Sequence, residues 1–243
     1  MHKEKAMQVK YKQEDKDGFR EVIDLITYSE IKKIPQIRTY IQKADEALGA
    51  LGYTEHSFAH VGLVAEKAKY ILTTMGYPKR TVELAQIAAY MHDIGNVINR
   101  VDHAQSGAVM AFRILDRQGV DAEDIAVIIS AIGNHDESTA FPVNEVAAAL
   151  ILADKTDVRY TRVRNRDLAS FDIHDRVNYA VKEADTIINE EKTKITLSLT
   201  IDTEFSSVMD YFEIFLERMV LCKKAAQKLN LRFQLVINDQ KVL

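Results

Sequence analysis

The sequence has one cysteine, three prolines and nine glycines in 243 residues. A single thiol, Cys222, excludes an intramolecular disulfide and any metal site built from several cysteines. So few chain breakers leave long uninterrupted segments, which favours helices over a sandwich of short strands. No run reaches the roughly 20 apolar residues that span a bilayer, and the opening stretch has no apolar core of a secretory signal. These absences predict a protein of the reducing cytoplasm with no membrane partner. A net charge of −4 argues against coating nucleic acid by bulk charge and leaves room only for a local basic groove. What remains is an ordinary globular composition, 47% hydrophobic and 28% charged, in a chain long enough to bury a sizeable core. There is no internal repeat.

Apolar spacing then divides the chain. Residues 1–29 read as a charged extension, with at least the first ten loosely ordered. Spacings of three and four at Ile31, Ile34, Ile37, Ile41, Ala44 and Leu48 predict an amphipathic helix, and a second over His56–Met75 with Gly76 and Pro78 as its stop. A third helix, Thr81–Gly95, is the stretch around which the rest is arranged, with Gly95 expected to stop it in a left-handed conformation. Asp102 with Gln105 resembles a capping box opening a helix to Gly119, Asp121 caps another ending at Gly133, and Asn144 opens a last one rich in alanine and leucine. Beyond about Asp167 the pattern changes. Val177–Ile188, Lys194–Ile201 and Arg232–Ile237 read as strands and Ser206–Leu229 as a long amphipathic helix. The fold class is mainly α: a helical domain over 30–167 and a small C-terminal α+β appendage over 168–243.

His92 and Asp93 end the central helix among Met91 and Ile94, where an unpaired carboxylate would cost several kcal/mol, roughly, so something positive is required. The plain alternative is a terminal histidine answering the helix dipole beside a surface aspartate, and His135-Asp136 and His174-Asp175 repeat the dipeptide. Asp154, after eight apolar residues, poses the same problem. Five of seven histidines (His56, His60, His92, His103 and His135) fall in the helical region, and histidine with carboxylate but no thiolate suits a first-row transition metal: iron, manganese, cobalt or zinc.

The ordered set His60, His92-Asp93-Ile94-Gly95, His103, His135 and Asp154 resembles the HD-domain metal-dependent phosphohydrolases, in the His-Asp-Ile-Gly variant, over roughly Thr54 to Val158. The resemblance implies that His60, His92, Asp93 and Asp154 hold one divalent metal and that Asp93 bridges to a second held by His103 and His135. It implies hydrolysis of a phosphate ester or anhydride, in a nucleotide or dinucleotide, by a hydroxide held on one or two metals, with Asp93 catalytic and His56 a substrate contact or proton donor. Relatives carry a lysine near the position of Asn96; here Asn96, Arg100, Lys155, Arg159 and Arg162 are the candidates for binding substrate phosphate. A basic helix exit is the bland reading of Arg159 and Arg162. Two other functions fit the same residues: a di-iron oxygenase, or a nucleotide-sensing scaffold without catalysis. Expected partners are a phosphorylated small molecule and, through the apolar side of the long C-terminal helix, either the helical domain or a second copy in a homodimer.

Overall fold

The computed structural model describes residues 25–243, so the expectation for the first ten residues lies outside the described span. Helix α1 (Tyr28–Ile31) is opened by a capping box between Thr27 and Glu30. Helix α2 (Pro35–Ala50) buries Ile37, Ile41, Ala44 and Leu48, the predicted stripe. Helix α3 (Phe58–Met75) starts two residues later than predicted because the Ser57 hydroxyl accepts from Ala59 N. His56 therefore stands before the helix and not on it. Gly76, at φ 84°, supplies the left-handed stop.

Helix α4 (Lys79–Met91) is buried along nearly its whole C-terminal half. It ends four residues short of the predicted Gly95, and a 3-10 turn (Ile94–Val97) follows. Gly95 does not take the expected left-handed conformation, being absent from the glycines with positive φ. Its reason is close packing: a Cβ there would overlap the carbonyl of His103 and lie 2.5 Å from Gly107 N. Helix α5 (His103–Arg117) can thus lie backbone to backbone on the 3-10 turn. The predicted capping box at its start does not form. The chain reverses so tightly that Asp102 sits at φ 57°, with no side-chain cap bond, and Gln105 donates instead to Thr139 Oγ1 at 2.9 Å. Helix α6 (Ala122–Gly133) is capped by Asp121, and α7 (Glu145–Lys155) by Asn144, as the sequence indicates.

The C-terminal part begins with helix α8 (Ile173–Ala180), where a strand was expected from Val177; the Asp172 carboxylate caps it by accepting from Asp175 N at 2.8 Å. Strands β1 (Val181–Ile188) and β2 (Lys194–Ile201) pair antiparallel, helix α9 (Val208–Lys228) crosses over, and β3 (Arg232–Ile237) pairs parallel to β2. A short β4 (Gln240–Lys241) completes the order β1-β2-β3-β4, one strand more than predicted. Its turn is carried by Asn238 and Asp239, both at positive φ, as a tight hairpin requires. The architecture is mainly α with this small sheet and its helix. One continuous apolar core runs from α1 to β3. Helix α9 packs Tyr211, Phe215, Met219 and Cys222 inward, against α7 and the sheet, while Met209, Leu216 and Val220 stay exposed. Among the described residues no helix is long and apolar enough to cross a membrane.

Candidate metal centre

Four helices deliver the side chains. The first turn of α3 carries His60, the end of α4 carries His92 with Asp93 behind it, α5 begins with His103, and the last turn of α7 carries Asp154. His135 follows α6 by two residues. All six are buried. The close approach of Gly95 to α5 is what brings His103 within reach of Asp93, because a side chain at Gly95 would push α5 away.

The two oxygens of Asp93 face different partners. Oδ2 lies 3.1 Å from His92 Nε2 and 3.7 Å from His60 Nε2, and those two nitrogens lie 3.7 Å and 3.3 Å from Asp154 Oδ1. Oδ1 lies 3.6 Å from His103 Nε2 and 3.9 Å from His135 Nε2, which approach each other to 3.2 Å. Two groups of ligand-type atoms therefore share one carboxylate. His60, His92 and Asp154, and likewise His92, Asp93 and His135, are each close enough together to hold an ion.

The outward nitrogens fix the tautomers. Nδ1 of His60 faces Asp157 Oδ2 at 2.8 Å, that of His92 faces Ala89 O at 2.7 Å, that of His135 faces Ile132 O at 2.6 Å and that of His103 faces Arg100 O at 3.0 Å. Each acceptor draws the proton to Nδ1, which in the neutral ring leaves Nε2 a bare lone pair pointing inward. His60 Nε2, His92 Nε2 and Asp93 Oδ2 are buried without a hydrogen-bond partner. Buried acceptors aimed at one another repel unless a cation stands among them, so the donor set fits a divalent metal.

Electrostatics agree. Burial alone would raise the Asp93 carboxyl, yet His92, His56 and His103 hold it well below the usual range; Asp154 is likewise lowered against its burial by Lys155, His60 and His92. Burial would lower His92, but Asp93 and Asp154 outweigh it and lift the imidazole to about 10. A proton on His92 and a metal ion thus compete for the same negative pocket. His135, pressed by burial and by the charge of His92, and His103, by burial, are both pushed down and stay neutral ligands.

The remaining predicted site residues separate into two groups. Asn96 is buried and donates to Asp93 Oδ1 at 2.9 Å and to Asp93 O at 3.0 Å, so it orients the shared carboxylate. Arg100 stands at the rim, 3.2 Å from His103 Nε2 and 3.7 Å from Asp136. His56 donates Nδ1–H to Thr54 O at 2.7 Å, and its ring is 5.4 Å from that of His60. Burial and Arg162 push its pKa well down, which favours the uncharged ring. Lys155 lies 2.7 Å from Asp154 and 3.1 Å from Glu137. Arg159 grips Asp157 at 2.6 Å, and Arg162 donates to Asp157 O at 2.6 Å and to Glu55 O at 2.9 Å. Those two arginines brace the residue behind His60 instead of facing the centre. Asp157 itself escaped the sequence reading, although its spacing of three from Asp154 was a usable signal. Glu137, between Lys155 and Arg218, also escaped, and nothing local distinguishes it.

The HD domain family model matches residues 57–177. Among curated proteins, the uncharacterized protein MJ1020 of Methanocaldococcus jannaschii is 24% identical over 164 residues, which cover 58% of this chain and 63% of that protein. The chain thus spans less than two thirds of that relative. Among solved structures, a predicted HD superfamily hydrolase from an uncultured Thermotogales bacterium is 28% identical with a TM-score of 0.40, covering 55% of this chain and 75% of that one. HD domains bind divalent metals, and the two His/Asp groups lie inside the matched span. Residues 57–177 of this chain are an HD domain.

Proposed function

We propose that this protein is a metal-dependent phosphohydrolase that cleaves a phosphate ester or anhydride, in a nucleotide or dinucleotide. The observation that carries the reading is the divided carboxylate of Asp93, with imidazole nitrogens facing each oxygen and those of His60 and His92 without a hydrogen-bond partner. His60, His92, Asp93 and Asp154 would hold one ion, and His103, His135 and Asp93 a second. Ions held there supply Lewis acidity to a phosphoryl oxygen and to a water molecule. His56, whose ring lies 5.4 Å from that of His60, contacts the substrate as water attacks phosphorus and the leaving group departs. Asn96 keeps Asp93 oriented during that step.

The cation that meets the substrate phosphate is Arg100. It is partly exposed beside His103, whereas the Lys155 ammonium is engaged by two carboxylates and Arg162 by backbone carbonyls. The test is metal analysis of the purified protein together with a screen of phosphorylated metabolites under manganese, cobalt, zinc and anaerobic ferrous iron. Release of phosphate supported by a redox-inert ion is expected. Product formed only with iron and oxygen would replace hydrolysis with oxygenase chemistry.

A further inference from the structure

A cavity of about 320 Å³ opens between Leu51–Thr54 and the face of α8 and α9, where His174, Asp175, Asn178, Phe215 and Arg218 line it. Its size is that of a small-molecule subsite. Three connections tie its walls to the candidate metal centre. Thr54 O receives the His56 Nδ1–H that sets that ring beside His60. The ring of Tyr53 carries the Arg100 guanidinium 5.7 Å from its centroid, and Arg100 in turn stands 3.2 Å from His103 Nε2. On the opposite wall Arg218 Nε is 2.5 Å from Glu137, which holds Lys155 against Asp154.

The lining is rich in unused acceptors. Asn178 is only 7% exposed; its Nδ2 donates to His174 O at 2.8 Å, while its Oδ1 accepts nothing among the described residues. The Asp175 carboxylate accepts a side-chain hydrogen bond only from Asn165, at 3.2 Å. Carboxylates in the wall disfavour an anion there, Arg218 disfavours a cation, and acceptors without donors call for a neutral group that carries hydroxyls. Tyr53, close to half exposed, adds flat apolar surface for the carbon face of a ring. We propose that this cavity binds the leaving group of the substrate and that the leaving group is a sugar ring whose hydroxyls donate to Asn178 and Asp175.

The proposal rests on the phosphohydrolase reading, and it gives a role to the His174-Asp175 pair that the metal centre does not use. The test is calorimetric titration of the metal-loaded full chain with ribose 5-phosphate and with phenyl phosphate, which shares the phosphate but lacks the hydroxyls. Asn178→Leu and Asp175→Ala, which each remove the acceptor, are compared with the parent, each checked for an unchanged melting profile. Loss of a hydrogen bond to a sugar hydroxyl should weaken ribose 5-phosphate about tenfold in each variant and move phenyl phosphate less than about twofold. Equal weakening of both ligands, unchanged binding of ribose 5-phosphate in Asp175→Ala, or no preference for it in the parent overturns the proposal. Selective binding without any phosphate release from ribose 5-phosphate or the nucleotides leaves the cavity assignment standing and defeats the hydrolase reading instead.

Discussion

The dipeptide His-Asp occurs at 92–93 and again at 174–175, and the two copies have opposite surroundings. His92 and Asp93 follow AAYM, residues buried to a man on a helix packed by α3, α6 and α7, so both side chains are enclosed with their charges unanswered by solvent. His174 and Asp175 open α8, where His174 is exposed and the Asp175 backbone N–H completes the Asp172 cap. The same two residues are thus a metal-type ligand pair in one place and the rim of a cavity in the other. What separates them is the apolar sequence that precedes the pair and the three further histidine-bearing segments that the fold folds back over it. A buried carboxylate without a fixed cation is too costly to keep, and a half-exposed one is not.

The largest expected effect breaks the first pair. Asp93→Ala removes the oxygens shared by both ligand groups and should abolish metal retention and turnover together while the protein stays folded. Asp175→Ala should leave metal content unchanged. Plasma emission analysis after gel filtration reads both, and full metal content in a folded Asp93→Ala protein contradicts the assignment.

A smaller effect tests how the C-terminal part is tied to that centre. Glu137 is half of a buried network: burial would raise its carboxyl, but Lys155 and Arg218 hold it far below the usual range. A depressed folded pKa means that the stabilisation is complete above the unfolded value, about 4.3, and is lost as pH falls through the folded value. Glu137→Gln, which leaves Lys155 and Arg218 short of a charge, should cost about 3 kcal/mol at pH 7. Urea unfolding from pH 7 to pH 3 should show the gap between parent and variant closing on the acid side. A gap independent of pH would mean that the loss is one of packing alone.

Two glycines sharpen the comparison further. Gly95→Ala forces a methyl into the carbonyl of His103, so α5 must shift, at a cost of about 1–3 kcal/mol and with weaker retention of an ion on the His103 and His135 side. Gly62→Ala, on α3 two residues past His60, meets nothing within 4 Å and should stabilise the helix by about 0.5–1 kcal/mol. Thermal melts with metal titration distinguish the two. A neutral Gly95→Ala would show that α5 has more freedom than its contact with the 3-10 turn allows.

Much of this was legible in sequence, and the part that was not has a physical cause. The stripe on α2, the caps at Asp121 and Asn144 and the strand ITLSLTI are local patterns, and the structure follows them. The six ligand-type residues were legible through their order along the chain, not through any one spacing. At Gly95 sequence shows a glycine's freedom but not the helix that presses on it, so the expected left-handed stop does not form. Asp102 has the residue type of a cap, but the reversal behind it sets its backbone first. Arg159 and Arg162 looked available for phosphate until Asp157, three residues past Asp154, proved to be buried between them and His60. The cavity of α8 and α9 joins segments more than a hundred residues apart, and no local signal marks it.

The smallest effect uses Cys222 as a reporter on that second region. The thiol is buried on the inward side of α9, where burial pushes its pKa up to about 12, with Lys155 opposing and Glu137 and Asp154 adding to the rise. A thiol with that pKa has almost no thiolate at pH 8, and the side chain is also closed to reagents, so alkylation by iodoacetamide requires α9 to lift from α7. Labelling of the native parent should be slower than that of the urea-unfolded chain by at least about a hundredfold. In Glu137→Gln the rate should rise, because the pair with Arg218 is one of the ties that hold α9 down, whereas in Asp175→Asn it should not change. Rapid labelling of the native parent would mean that α9 does not stay closed against the helical part, and the walls of the cavity between Tyr53 and Arg218 would then not be held together.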